Sequence, residues 1–263
     1  LDTLNGSWVS SSPKTNDGFS ATAYFFAREL RKELKVPVGI IKCAWVGSRV
    51  EPWIPAAAYQ QYQDMAAYIE HEHSTLKKAI ASWNPNKVKQ GNRRREAQSP
   101  ITNQQAPATL FNGMVHPVMP YAIKGAIWYQ GESNAGHNTT QYTKHFQSMI
   151  TSWRKHWGQG DFPFYFVQLA SFRTEVTEPL YQDPWATFID HQRRTLILYN
   201  TGLAVLNDIC QASVIHPHYN IDVGIRLPLL ALNTAYAFLL YPFPTPPTLT
   251  RSRIPSSPLK KKY

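Results

Sequence analysis

Short apolar segments alternate with amphipathic helical segments along this chain, and this alternation constrains the fold more than any other feature. Residues 38–41 (VGII) and 164–167 (FYFV) are almost wholly apolar, whereas residues 19–35 carry apolar side chains at helical spacing. Strands that are apolar throughout are typical of parallel sheets covered on both faces. Helices between such strands form βαβ units. The pattern predicts an α/β fold with a mostly parallel sheet between layers of helices.

The same periodicity indicates where each element begins and ends. Helices are predicted over residues 19–35, 57–83, 139–157, 184–196 and 221–237, and strands over 36–44, 122–129, 163–169 and 202–206. Serine is a residue type that caps helix N-termini, so Ser20 is expected to cap the first helix. Pro228 falls inside the last predicted helix, where proline costs about 3 kcal/mol.

Two segments depart from this alternation. Residues 84–108 are polar and include three consecutive arginines at 93–95, so they are predicted to form an excursion on the surface. Residues 241–263 are rich in proline and basic residues, and such a composition predicts a poorly ordered segment. The chain is therefore interpreted as one domain over residues 1–240, followed by a tail over residues 241–263.

A polar loop directly follows the predicted strand at 122–129. Residues 128–135 read WYQGESNA, and the glycine at 131 permits a sharp turn. In open α/β sheets, ligands bind outside the carboxyl ends of the strands. An asparagine amide at such a place can donate a hydrogen bond to a developing oxyanion. The competing interpretation is a polar turn without a function, because asparagine and serine are common in turns.

Several further motifs accompany this loop in a fixed order along the chain. They are VPVGII at 36–41, WVGS at 45–48 followed by EPW at 51–53, FNGMVHP at 111–117, FPFYFVQL at 162–169 and IHP at 215–217. Together they resemble the sialate O-acetylesterase family, a branch of the SGNH (GDSL-like) hydrolases. The resemblance implies a three-layer α/β/α fold with flavodoxin-like strand order. It also implies a carboxylic ester hydrolase that removes O-acetyl groups from sialic acids or other acetylated sugars.

The resemblance also carries a set of site residues onto this chain. It places the general base at His216, the side-chain oxyanion donor at Asn134 and the backbone oxyanion donor at Gly47. These three positions are expected to converge at the carboxyl edge of the sheet. Gln130 and Glu132, which lie in the same loop as Asn134, are the expected substrate contacts.

The chain departs from the family pattern at positions that bear on the site. Val46 stands where the family has glycine, and a β-branched residue tolerates a positive φ poorly, so a strained loop is expected if the backbone requires one. Many relatives have an aspartate two residues before the histidine, where this chain has Val214. Asp208 is the nearest upstream acid that could orient the His216 imidazole, and a backbone carbonyl is the alternative.

The nucleophile of the family has no matching position in this chain. The family carries it in a Gly-x-Ser block after a first strand, and no block here corresponds to it. Ser133 lacks the final glycine of a nucleophile turn, because Ala135 holds that place. The domain is therefore expected to be incomplete at its N-terminus, and the chain alone is expected to lack acetylesterase activity. A catalytically inactive module that binds sugars is the alternative function.

Composition and charge narrow the choice of partners. The net charge of +10 raises the possibility of nucleic acid, but the basic residues are scattered apart from two short runs. Nucleic acid is therefore not expected as a partner. The substrate that the resemblance implies, an acetylated sugar such as O-acetyl sialic acid, is consistent with a positively charged protein. The apolar run at 227–243 is interrupted by prolines and too short for a membrane span, so no stable membrane insertion is expected.

The remaining composition implies neither a metal nor a cofactor. Two cysteines define no disulfide framework, and no histidine or cysteine spacing resembles a metal site. By resemblance alone, a secreted, lysosomal or periplasmic location is expected, and the oligomeric state is left open.

Overall fold

The computed structural model describes residues 6–83, 104–172, 183–209 and 220–236. Within these ranges the strands are β1 (Ala126–Trp128), β2 (Phe164–Val167) and β3 (Thr201–Ala204). The α-helices are α1 (Ala21–Leu34), α2 (Gln63–Ser82), α3 (Tyr142–Trp157), α4 (Pro184–Arg193) and α5 (Asn220–Thr234). A helix follows each strand, and the predicted α/β class is confirmed.

Strand β2 lies between β1 and β3 in the sheet. Both pairings are parallel, with Ala126 opposite Phe164 and Phe164 opposite Thr201. All four residues of β2 are buried, as expected of a central strand that is covered on both faces. Because the three strands run in one direction, the loops that follow them emerge at one edge of the sheet.

Alternate side chains of β2 enter two separate cores. Phe164 and Phe166 belong to a largely aromatic cluster that includes Phe146 of α3. Tyr165 and Val167 belong to a second cluster, which is built with residues of α1 and α5. Successive side chains of a strand point to opposite faces, so the sheet separates the two cores. The predicted three-layer arrangement is present, with α3 on one face and α1 and α5 on the other.

The predicted strand at 36–44 is wrong. The segment follows α1 without regular secondary structure, and the sheet of the described residues consists of β1, β2 and β3 alone. Several of its side chains, including those of Val36 and Ile41, are exposed. A strand exists only where its backbone pairs with a neighbour, and an apolar sequence by itself does not supply that partner.

The first two helices show where local signals sufficed and where they did not. The predicted cap is confirmed, because the Ser20 side chain accepts a hydrogen bond from the Ala23 N–H. The segment predicted as one helix over 57–83 is instead a 3-10 helix, Ala56–Gln61, followed by α2. Tyr62 separates the two with extended backbone angles, φ −135° and ψ 137°.

Helices α1 and α5 pack tightly against each other on one face of the sheet. Gly224 permits the close approach, because a Cβ at this position would lie 2.2 Å from the Cβ of Phe25. Pro228 lies one turn further along α5, inside the helix as predicted. Proline has no N–H to donate to the carbonyl four residues earlier, so the backbone hydrogen bond to Gly224 is missing.

Other predictions fall outside the described residues. Most of the polar excursion, 84–103, and the tail over 241–263 lie there. In the part of the chain that the structure describes, no helix has both the length and the apolar character needed to cross a membrane.

Candidate active site

The loop after β1 closes a tight turn at the edge of the sheet. The N–H groups of Asn134 and Ala135 both donate to the Gly131 carbonyl, at 2.8 and 3.0 Å. Gly131 has a φ of 156°, and a Cβ there would come within 2.6 Å of the Phe188 ring. Glycine suits both the backbone angle and the close contact. The turn carries the Asn134 side chain into a fully buried position.

A second loop, residues 45–50, lies against the first. The carbonyl of Gly47 accepts hydrogen bonds from the Ser133 hydroxyl at 2.8 Å and from the Gln105 side-chain amide at 2.6 Å. Gly47 itself has the left-handed φ of 72°, whereas Val46 has no positive φ and is almost fully exposed. The strain expected at Val46 is therefore absent, because the glycine beside it occupies the left-handed position.

Asn134 joins the two loops through both ends of its amide. Its Oδ1 accepts hydrogen bonds from the Val50 N–H at 2.9 Å and from Gln130 Nε2 at 2.8 Å. Its Nδ2 donates to Glu51 Oε2 at 3.0 Å. An asparagine Nδ2 carries two hydrogens. These three bonds determine which way the amide faces, and within the described residues one Nδ2 hydrogen has no acceptor.

Gln130 supports this arrangement from the end of β1. Besides Asn134, its Nε2 donates to the Ser48 carbonyl at 3.0 Å, and its Oε1 accepts from the Tyr142 hydroxyl at 3.2 Å. Its backbone carbonyl accepts from Gln192 of α4 at 3.2 Å. Both Nε2 hydrogens of Gln130 are thus used inside the protein, where they hold the two loops together.

Glu51 and His145 complete the buried polar cluster, although sequence analysis gave neither residue a role. They are 0% and 2% exposed. His145 Nδ1 lies 3.4 Å from Glu51 Oε1, which is within ion-pair distance. The two atoms are not aligned for a hydrogen bond, and among the described residues neither has another hydrogen-bond partner. A buried carboxylate is costly unless it is paired, and interactions with His145 and Asn134 lower the pKa of Glu51.

Both residues left a signal in the sequence. Glu51 is the one charged residue of the run 50–54 (VEPWI), and His145 shares the buried face of α3 with Tyr142, Phe146 and Met149. A charged or titratable residue within an apolar stripe predicts a buried polar partner. The pattern cannot identify that partner, because Glu51 and His145 are far apart in the chain.

The His145 ring also lines a groove of about 350 Å³, together with residues of α2 and of the segment before α3. The ring of Tyr68 lies 5.5 Å from the His145 ring, and the Tyr68 hydroxyl has no hydrogen-bond partner in the described structure. Burial and the negative charge of Glu51 raise the pKa of Tyr68. The phenol therefore stays protonated at neutral pH.

The remaining predicted site residues are placed as follows. His216 lies outside the described residues, so its convergence with Asn134 and Gly47 stays a prediction. Asp208 follows β3 and is paired with Arg226 of α5 at 2.6 Å. Its hydrogen bonds to that guanidinium hold the pKa of the carboxyl below its usual range. Glu132 is half-buried in the loop after β1.

The Glu51 carboxylate predicts a specific dependence of stability on pH. Burial raises its pKa, but the interactions with His145 and Asn134 outweigh burial, and the pKa lies below the ordinary value of 4.5. A lowered pKa in the folded state contributes stability that is complete above the unfolded-state pKa and is lost as the pH falls through the folded-state pKa. We therefore expect the stability of Glu51→Gln to fall less steeply with acid below pH 4.5. Urea midpoints measured down to about pH 3 would check this, and parallel curves for the two proteins would contradict it.

Comparisons with known proteins agree on one family. A family model described as "Carbohydrate esterase, sialic acid-specific acetylesterase" matches residues 96–213. Proteins named sialate O-acetylesterase from Mus musculus and Homo sapiens are 30% and 29% identical to this chain over 240 and 234 residues. Each match covers 82% of this chain but only 43% and 39% of the relative. The chain thus spans about two fifths of the length of these relatives.

A solved structure shares the fold. It is the crystal structure of a carbohydrate acetylesterase from Xanthomonas citri, which superposes with a TM-score of 0.69 at 34% sequence identity. The superposition covers 89% of this chain and 45% of that chain.

Proposed function

Because the chain belongs to the sialate O-acetylesterase family of carbohydrate esterases, we propose that it hydrolyses O-acetyl esters of sialic acids or of other acetylated sugars. The observation that carries this proposal is the Asn134 amide. It is buried at the carboxyl end of β1 and is held by three hydrogen bonds, and among the described residues one of its N–H groups has no acceptor. A preorganised donor of this kind stabilises the negative charge that develops on an ester carbonyl oxygen.

The proposed mechanism assigns three tasks to four residues. Asn134 and the Gly47 N–H stabilise the oxyanion, and His216 acts as the general base that transfers the proton. Asp208 orients the His216 ring while it remains paired with Arg226, which is feasible because a carboxylate accepts several hydrogen bonds. The left-handed conformation of Gly47 and its link to Ser133 support the placement of the second donor beside the first.

Substrate recognition is assigned to the same loop. We propose that the Glu132 carboxylate accepts a hydrogen bond from a sugar hydroxyl. Gln130 contributes indirectly, because its side chain is already engaged by Ser48, Asn134 and Tyr142. The site belongs to a single domain that we propose to extend over residues 1–240, with the tail over 241–263 outside it.

An inactive, sugar-binding protein is the second candidate function, and one observation favours it. Among the described residues, the hydroxyl of Ser133, the serine in the loop after β1, donates to the Gly47 carbonyl rather than to a histidine. A serine without a neighbouring base is a weak nucleophile. In this alternative the polar loops bind an acetylated sugar without cleaving it.

Release of acetate tests the proposal. The natural polypeptide, at whatever length it is expressed, is incubated with O-acetylated sialic acid and with p-nitrophenyl acetate. We expect hydrolysis, and we expect Asn134→Ala to lower kcat by roughly 100- to 1000-fold, the usual effect of removing one oxyanion donor. Asn112→Ala is the matched control, because Asn112 is exposed on the helical turn Phe111–Val115 and has no hydrogen bond to Asn134, Gly47 or Glu51; its kcat should be unchanged.

The same assay separates the two candidate functions. Binding of the acetylated sugar without release of acetate would establish the alternative, and the absence of both would overturn the two together. The 263-residue chain by itself is expected to release no acetate. If it does so, and Ser133→Ala abolishes the release, Ser133 is the nucleophile.

A further inference from the structure

Glu51 carries an ionised carboxylate in the deepest part of the site. It lies in the short helix Glu51–Trp53, which follows directly on the second loop. Its Oε2 accepts from Asn134 and its Oε1 faces His145, while its backbone carbonyl accepts from the Tyr59 hydroxyl at 2.7 Å. Its pKa is lowered despite the burial, so the side chain is negative at neutral pH. Burial of a charge costs desolvation energy, which hydrogen bonds or an oppositely charged partner must offset.

The Glu51 carboxylate binds the NH₂ group of the Asn134 amide. Asn134 Oδ1 accepts hydrogen bonds from the Val50 N–H and from Gln130 Nε2. If the amide were turned the other way, these two donors would face the Asn134 NH₂ group, which cannot accept from them. The carboxylate on the opposite side accepts only, because an ionised carboxylate has no hydrogen to give. Glu51 therefore disfavours the flipped amide, in which Oδ1 would face a negative charge.

A second effect concerns the hydrogen that Asn134 leaves uncommitted. Hydrogen bonds to ionised groups are shorter and stronger than neutral ones, and the bond from Asn134 Nδ2 to Glu51 Oε2 is of this kind. It anchors Nδ2 in a buried setting, where little reorganisation is possible. The other Nδ2–H is then held in one direction before any substrate arrives, which is the condition for effective oxyanion stabilisation.

We propose that Glu51 is a positioning residue of the esterase site. It holds the Asn134 amide in its donating orientation through the hydrogen bond to Oε2, while its Oε1 faces His145 at 3.4 Å. The inference rests on the proposed function for the part that Asn134 plays in turnover. The orientation of the amide itself can be measured without any turnover.

The first experiment observes the Asn134 side chain directly. Protein labelled with ¹⁵N-asparagine gives side-chain amide resonances, and Asn134→Ala identifies the one from Asn134 by its disappearance. We expect slow exchange of this amide with water in the wild type. In Glu51→Ala the exchange should accelerate about tenfold or more, as expected when a hydrogen bond to an ionised group is lost. Glu51→Asp, which keeps the charge on a shorter side chain, should restore part of the protection.

The matched control is Glu72→Gln on α2. Glu72 acts on Tyr59 and Tyr68 through its negative charge, as Glu51 does, but it makes no hydrogen bond with Asn134. The Asn134 resonance should be unchanged in this variant. An Asn134 amide that exchanges equally slowly in the wild type, Glu51→Ala and Glu51→Asp would overturn the inference. An equal acceleration in Glu72→Gln would also do so, because it would show a general loosening.

The second experiment measures turnover of an acetyl ester by the natural polypeptide. Glu51→Gln keeps the size of the side chain but removes its charge, and we expect a fall in kcat of about tenfold or more with little change in KM. A raised KM at unchanged kcat would contradict a positioning role. If the wild type shows no turnover, the proposed function fails, whereas the amide exchange still decides the role of Glu51.

Discussion

Replacement of Phe146 by alanine is expected to destabilise the protein by about 3–5 kcal/mol. Phe146 is fully buried on α3, and its ring lies 5.1 Å from the Phe166 ring, 5.5 Å from Tyr142 and 5.9 Å from both Phe164 and Trp128. Rings from α3, β1 and β2 meet at this side chain. Its removal leaves a cavity whose walls belong to regular elements and cannot easily collapse.

The free energy of unfolding of Phe146→Ala is measured with urea and followed by circular dichroism. Lys155→Ala is the matched control, because Lys155 is exposed on the same helix and the change to alanine affects helix propensity only slightly. The control should lie within about 0.5 kcal/mol of the wild type. A loss below about 1 kcal/mol in Phe146→Ala would show that the aromatic cluster does not stabilise the sheet as described.

Gly224→Ala is expected to destabilise the protein by about 2 kcal/mol, even though alanine favours helices more than glycine does. The new Cβ would lie 2.2 Å from Phe25 Cβ and 3.2 Å from Phe25 Cα. Both atoms are fixed to the backbone of α1, so no side-chain rotation relieves the overlap. The two helices must separate, and the core between α1, α5 and the sheet loosens with them.

Gly113→Ala is the control for Gly224→Ala, because it makes the same change of residue type in a helical turn without a steric clash. Gly113 lies in the helical turn Phe111–Val115, and a Cβ there would meet no atom within 4 Å. We expect this control to be neutral or slightly stabilising, up to about 1 kcal/mol. Thermal melts of both variants give the comparison. If Gly224→Ala also proves neutral, the close packing of α1 on α5 is not a feature of the protein in solution.

The two loops of the site are held by different means, and this affects how variants should be interpreted. The loop after β1 depends on Gly131 and its contact with Phe188, whereas the loop over 45–50 depends on hydrogen bonds from Ser133 and Gln105 to the Gly47 carbonyl. A change at Gln130 or Ser133 therefore disturbs the relation between the loops. Loss of activity in such variants does not identify a residue that contacts the substrate.

Local sequence patterns were sufficient for features that depend on neighbouring residues. The apolar alternation predicted the α/β class because helices and strands have different side-chain periods. Ser20 was predicted as a cap because its partner, the Ala23 N–H, lies three residues away. The ordered motifs identified the family, and the glycine at 131 predicted a sharp turn after β1.

Features that depend on distant residues were decided by the tertiary structure. Residues 36–44 are apolar like a strand, yet they find no strand partner in the described structure. Asn134 was predicted to donate to an oxyanion, whereas the acceptor that its amide has in the structure, Glu51, lies 83 residues earlier in the chain. A sequence pattern indicates which side chains are apolar enough to be buried and which polar side chains will need a partner. The identity of each partner is decided only when the loops meet at the sheet edge, because hydrogen bonds and ion pairs depend on distance and direction in space.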